Sequence, residues 1–164
     1  MGGIRTNARG LTIAALFAAS YAALVYLLTP ISFLQIQVRV ANALMGAVPT
    51  FGMPAVFGIA LGVFLGNVFS PLGPIDLLSA APSFAGLLAI YWLRKKSVLL
   101  GLAIYSLIIS AWVALMLHLI LGLPYLASLA YVLAGVSAAT IGLGYPLHLY
   151  LSRSGALKGW VRDR

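Results

Sequence analysis

The run Val98–Leu121, VLLGLAIYSLIISAWVALMLHLIL, decides the fold class. It contains no Lys, Arg, Asp or Glu, and it lies between Arg94-Lys95-Lys96 and Gly122-Leu123-Pro124. A helix of ~20 apolar residues spans the hydrocarbon core of a bilayer. Basic residues at one end anchor such a helix at the interface, and a Gly-x-Pro sequence ends it at the other. The run is therefore predicted to be a transmembrane helix.

The same pattern recurs on both sides of it. Downstream the chain is apolar from about Tyr125 to Leu151, and a polar tail follows from Ser152. Upstream, apolar runs cover Ile75–Leu93, Pro54–Phe69 and Gly10–Leu28. The turn Ser70-Pro71-Leu72-Gly73-Pro74 separates two of these runs, and Thr29-Pro30 ends the first. A less regular segment, Ile31–Val48, carries Gln35, Gln37, Arg39 and Asn42 before Pro49. The predicted helices cover about 10–28, 38–48, 54–69, 75–93, 98–121 and 125–151, as one membrane domain over residues 1–164. The first helix exceeds the apolar core of a signal peptide and is followed by Pro30 rather than a small-residue cleavage site, so it is expected to be retained.

Composition points the same way. The chain is 63% hydrophobic and 7% charged, with a mean hydropathy of +1.09. Soluble domains are about one quarter charged. The net charge of +8 does not imply nucleic-acid binding, because the basic residues cluster at the ends of apolar runs. With no cysteine, two His, two acidic residues and no Gly-rich phosphate loop, neither a metal cluster, an acid–base pair nor an ATPase site is expected. No enzyme activity, cofactor or metal is predicted.

Topology follows from the basic residues. Arg5 and Arg9 precede the first run, Arg94-Lys95-Lys96 follows the fourth, and Arg153 opens the basic tail. Six crossings with both termini cytoplasmic put all three clusters inside, whereas five crossings would misplace one of them. Arg39 and Asp76 are the only charges left within the apolar body. A charge at membrane depth costs about 2.5–3.5 kcal/mol on insertion scales, so it marks a pairing or a function. In the six-crossing topology Arg39, Asn67, Ser70, Asp76 and His118 all lie toward the outer face. A pocket loading solute from outside needs that arrangement.

Each candidate has two readings. Gln35-Ile36-Gln37-Val38-Arg39-Val40 alternates as an extended segment would, while Gln35, Arg39 and Asn42 also share one helical face. The segment is either a substrate-facing wall with a gating loop, or a solvated loop whose Arg39 snorkels to headgroups. Asp76 either accepts N–H groups of a ligand or pairs with Arg39. Asn67 reads a base-like ligand or bonds between helices. His118 fits a ligand contact or an interface hydrogen bond, and His148 reads as structural. Trp112 and Tyr105 suit stacking on an aromatic solute or ordinary packing. Ala14, Ala18 and Ala22, and equally Ala15, Ala19 and Ala23, form small-residue stripes for close helix approach, within the chain or to another subunit. Gly58, Gly62 and Gly66 form a similar stripe, read as internal packing.

Several of these stretches carry a resemblance. Ile36-Gln37-Val38-Arg39-Val40 with Ala43-Leu44 resembles a signature of the QueT family. So do Gly62 to Asn67, Ser70-Pro71 and Gly73-Pro74-Ile75-Asp76, and the run into Arg94-Lys95-Lys96. The specific likeness covers about residues 10–96. It implies a six-helix substrate-binding (S) component of an energy-coupling factor (ECF) transporter for 7-deazaguanine precursors of queuosine. It further implies a membrane coupling subunit docked on an alanine stripe of the first helix, and two cytosolic ATPases. On this reading Arg39, Asn42, Asn67 and Asp76 line the pocket, with Gln35 and Gln37 in or beside the gating loop, and His118, near the outer end of its helix, counts among the substrate-binding residues. The chain departs from the family pattern at Asn42, where the family has Glu. Asn lacks the charge that suits a cationic aminomethyl group, which favours the neutral nitrile-bearing precursor. The alternative reading is a solitary secondary transporter or channel for a small polar solute, with Asp76 as its coupling carboxylate. The absence of a detectable internal repeat weighs against that alternative.

Overall fold

The computed structural model describes residues 8–28, 39–68 and 70–154, and all regular structure in them is helical. Gln35 and Gln37, and with them the expected gating loop, lie outside the described residues. The helices are α1 (Ala8–Leu27), α2 (Val40–Phe51), α3 (Met53–Gly66), α4 (Pro74–Leu93), α5 (Val98–Leu121) and α6 (Tyr125–Arg153). Of these, α1, α4, α5 and α6 are long and apolar enough to cross a membrane. The other two are shorter apolar helices; α3 has 14 residues, about 21 Å of helix against a hydrocarbon core of about 30 Å.

Turn chemistry sets the boundaries. The second helix does not break at Pro49, as the sequence predicts. A tight 3-10 stretch, Val40–Ala47, leads into the α-helical turn Val48–Phe51, and Pro49 falls at the start of that turn, where its missing N–H leaves no helical bond unmade. The break comes instead at Gly52, whose φ of 67° few other residues adopt. Pro54 and Pro74 stand in the first turns of α3 and α4 in the same way. Helix α3 stops at Gly66, before the predicted Phe69, because the chain turns at Asn67. Ser97 caps α5 by accepting from the Leu100 N–H at 3.2 Å, and left-handed Gly122 closes its other end by donating to the His118 carbonyl.

The helices pack in a closed ring: α1 on α3, α3 on α4, α4 on α5, α5 on α6, α6 on α2, and α2 back on α1. Small residues make two of these contacts close. Gly58, Gly62 and Gly66 face α1, where a Cβ on Gly58 would overlap the Ala14 carbonyl and one on Gly62 would come within 2.6 Å of Tyr21 Cβ. Gly46 of α2 meets the backbone of Gly144 in α6 with no room for a side chain. A π-helical stretch, Ala138–Leu143, precedes that crossing and gives α6 an extra-wide turn. The core between the helices holds Tyr21, Val25, Met45, Ile59, Leu87, Ile90, Leu102 and Tyr105.

The outer surface is apolar as well. Leu11, Leu27, Trp92, Leu119 and Leu126 are each at least 69% exposed, which suits lipid and not water. Where α4 ends, the Arg94 guanidinium lies 3.7 Å over the Tyr91 ring, next to exposed Trp92, Lys95 and Lys96. Aromatic and basic side chains gather in this way at a membrane–water interface.

Candidate functional site

Five of the six helices direct side chains at one small cavity inside the ring. Tyr21 comes from α1, Arg39 and Asn42 from the start of α2, and Asp76, Ser79 and Ser83 from α4. Tyr105, Ile109 and Val113 come from α5, and Val136 from α6. Asp76, Ser79 and Ser83 fall at i, i+3 and i+7, so a single face of α4 supplies three polar groups. Asn42, Asp76, Ser79 and Ser83 are all buried.

The polar groups form two chains, each headed by a group that can only donate. The guanidinium of half-buried Arg39 donates from Nη1 to Asn67 Oδ1 at 3.0 Å, and Asn67 Nδ2 donates to the Asp76 carbonyl at 3.0 Å. Arg39 also hydrogen-bonds the Tyr21 side chain, and the Tyr21 hydroxyl donates to Asn42 Oδ1 at 2.8 Å. From the other side the Trp112 indole N–H donates to Ser79 Oγ at 2.8 Å, and Ser79 donates to Asp76 Oδ1 at 2.6 Å. Arginine and indole have no acceptor, so the direction of every bond in both chains is set.

One atom stands outside these chains. Asp76 Oδ2 is buried and has no hydrogen-bond partner among the described residues. Asp76 is only 2% exposed. A buried carboxylate oxygen without a donor carries its full desolvation penalty. Arg39 is its nearby counter-charge, but the bridge between the two residues runs through Asn67 and the Asp76 backbone. The carboxylate thus keeps an acceptor directed at the cavity. The free interior is about 10 Å³, enough for about one water. A larger ligand enters only as the walls part.

The structure brings Arg39, Asn42, Asn67 and Asp76 together, with Asn67 behind the lining as the link between Arg39 and α4. It does not bring His118 to them. His118 is exposed, and its Nδ1 lies 2.8 Å from the Leu123 carbonyl, where it closes the α5–α6 turn. Trp112 touches the site through its N–H and is not among the lining residues. Tyr21, Ser79 and Ser83 are lining residues that the sequence reading missed. The i, i+3, i+7 register from Asp76 is the signal that finds the two serines, while nothing local marks Tyr21.

The two alanine stripes of α1 also separate. Ala18 and Ala22 are buried and Ala14 half-buried, and Ala14 and Ala18 lie against glycines of α3. They serve packing within the chain, which corrects their reading as a docking face for another subunit. Ala15, Ala19 and Ala23 are exposed on the adjoining face.

Comparison with curated proteins and with solved structures gives no match. A family model described as QueT transporter matches residues 11–153, which covers all six helices except the first residues of α1. By that match, the chain belongs to the QueT transporter family and is a multi-pass, all-α membrane transport protein, not an enzyme.

Proposed function

We propose that the chain is the substrate-capture (S) component of an ECF transporter and binds a 7-deazaguanine precursor of queuosine from the outer side. The observation that carries this reading is the unpartnered Asp76 Oδ2, held in a ring of helices beside the guanidinium and amide groups. A guanine-type ring offers adjacent ring and exocyclic N–H groups on one edge, which suit a carboxylate acceptor. Its other polar positions accept, which suits the amide of Asn42. Tyr105, Ile109 and Val113 supply the flat apolar walls that a planar base needs.

Six crossings with both termini inside place this cavity toward the outer face and the Arg94 cluster inside. Transport then requires a membrane coupling subunit and two cytosolic ATPases. The exposed stripe Ala15, Ala19 and Ala23 is the surface on which the coupling subunit docks, since the stripe beside it is occupied by α3.

Uptake of a labelled 7-deazaguanine into reconstituted vesicles tests the coupled mode. The expected result is ATP-dependent accumulation with the coupling subunit and ATPases present, and binding without accumulation for this chain alone. Gradient-driven accumulation by the chain alone would overturn the S-component reading.

A further inference from the structure

We propose that the cavity opens through α2: its 3-10 stretch Val40–Ala47 relaxes to an α-helix about a fixed point at Gly46, and the Tyr21–Asn42 and Arg39–Asn67 hydrogen bonds are the latch that holds it shut. The inference rests on the reading of this cavity as the substrate site.

With a free interior of about 10 Å³, one of the walls has to move. Helix α5, which carries Tyr105, Ile109 and Val113, is regular over 24 residues. Helix α1 is seated on the glycines of α3, and Asp76 and Ser79 of α4 are tied to Trp112 of α5. Helix α2 is different. Runs of 3-10 helix longer than three or four residues are uncommon, because their hydrogen-bond geometry is poorer. The run in α2 has eight. Its sequence does not ask for that form, since Ala41, Ala43, Leu44, Met45 and Ala47 are among the better α-helix formers. Contacts with neighbours therefore impose it.

Those contacts differ at the two ends. At the Gly46 end the backbone meets Gly144 of α6 with no room for a side chain. An α-helix would also aim the Met45 carbonyl at an N–H that Pro49 lacks; the Val48 N–H takes that carbonyl instead. This end stays as it is. At the other end the hold is by side chains. The Tyr21 hydroxyl of α1 donates to Asn42 Oδ1 at 2.8 Å, and Arg39 Nη1 donates to Asn67 Oδ1 at 3.0 Å. An α-helix rises about 0.5 Å less and turns about 20° less per residue than a 3-10 helix. From Gly46 back to Asn42, conversion draws the amide in by about 2 Å and swings it by about 80°. Both latch bonds break, and Arg39 and Asn42 leave the cavity while Asp76 and the apolar wall of α5 remain. The part of α6 that packs on Val40–Ala47 is the π-helical stretch Ala138–Leu143, a wide-turned segment of the kind that recurs at functional sites. A ligand that touches α2 and α4 together binds the closed form better and shifts the population toward it.

Pulsed dipolar EPR on the cysteine-free chain tests this. One spin-label pair joins Val40→Cys at the start of α2 to Leu119→Cys on exposed α5, and a control pair joins Leu78→Cys of α4 to the same α5 position. For the α2 pair, two distance populations are expected without ligand, and one, the closed distance, with saturating 7-deazaguanine. Tyr21→Phe, without ligand, is expected to enlarge the open population, and Asn42→Ala, which removes the same bond from the α2 side, to act alike. The control pair is expected to keep one distance throughout. An α2 pair with one distance in the native chain and in both variants would overturn the inference. So would a control pair that changes together with it, since the whole bundle would then be loosening. An α2 pair that answers to the two variants but not to 7-deazaguanine would uphold the moving wall and count against the substrate.

Discussion

Asp76 reaches the cavity through the turn that precedes it. Gly73 adopts a φ of 76°, Pro74 starts the first turn of α4, and the carboxylate then points inward above Ser79 and Ser83. Its Oδ1 is satisfied by Ser79 and its Oδ2 is not. Asp76→Asn should therefore weaken ligand binding by about 10- to 100-fold, as expected for a lost hydrogen bond to a charged group of about 1.5–3 kcal/mol. The same variant should unfold at a lower temperature without ligand, because Arg39 loses its nearby counter-charge. Calorimetric titration and thermal unfolding in one detergent check both halves. Trp112→Phe removes the donor that orients Ser79, and should lower stability by about 1 kcal/mol in the same unfolding assay. The charged and amide members of the site were legible in the sequence, because such residues are rare at membrane depth. Tyr21, Ser79 and Ser83 were not, because hydroxyl residues on membrane helices commonly bond their own backbone, as Ser106 does to the Leu102 carbonyl and Thr140 to the Val136 carbonyl. His118 was misplaced for a related reason: a polar group beside a turn is satisfied by the turn itself.

Among the elements, α1 and α3 make the most extensive contact, and it depends on glycine. Gly62→Leu would force side-chain atoms into Tyr21 and Ala18, and overpacking of this kind costs about 1–3 kcal/mol. It should lower the unfolding temperature and also weaken ligand binding, since Tyr21 would shift. Ala19→Leu, on the exposed face of the same helix, should leave unfolding and ligand binding unchanged while preventing co-purification of the coupling subunit. Both alanine stripes have helical spacing, so the sequence could not choose between them; the choice needs the glycine face of α3. The second helix shows a similar boundary of sequence reading. Pro49 looks like a terminator, but at the head of a new turn it costs the helix nothing, and the positive φ of Gly52 makes the break.

Among the described residues the molecule is a ring of six helices with an apolar outside and a polar cluster within it. Hydropathy and Pro/Gly punctuation made the four long apolar helices legible, because a bilayer demands long uncharged runs. The order of the ring was not legible, since it rests on close backbone approaches such as Gly46 to Gly144. The proposed orientation has a direct check, because the chain contains no cysteine. In intact cells, Pro71→Cys on the α3–α4 turn should react with a membrane-impermeant thiol reagent, and Lys96→Cys on the α4–α5 turn should react only after the membrane is opened. The reverse pattern would put the cavity on the inner side.

The central claim is that this ring closes on a deazaguanine through Asp76. Thermal stabilisation of the detergent-purified protein by a panel of deazaguanines, guanine and common vitamins tests it most directly. A ligand at a hundredfold excess over its dissociation constant adds about 2.7 kcal/mol to apparent stability. The account predicts such a shift for a deazaguanine, none for the vitamins, and loss of the shift in Asp76→Ala. A shift produced by a vitamin, or a deazaguanine shift that persists in Asp76→Ala, would contradict it.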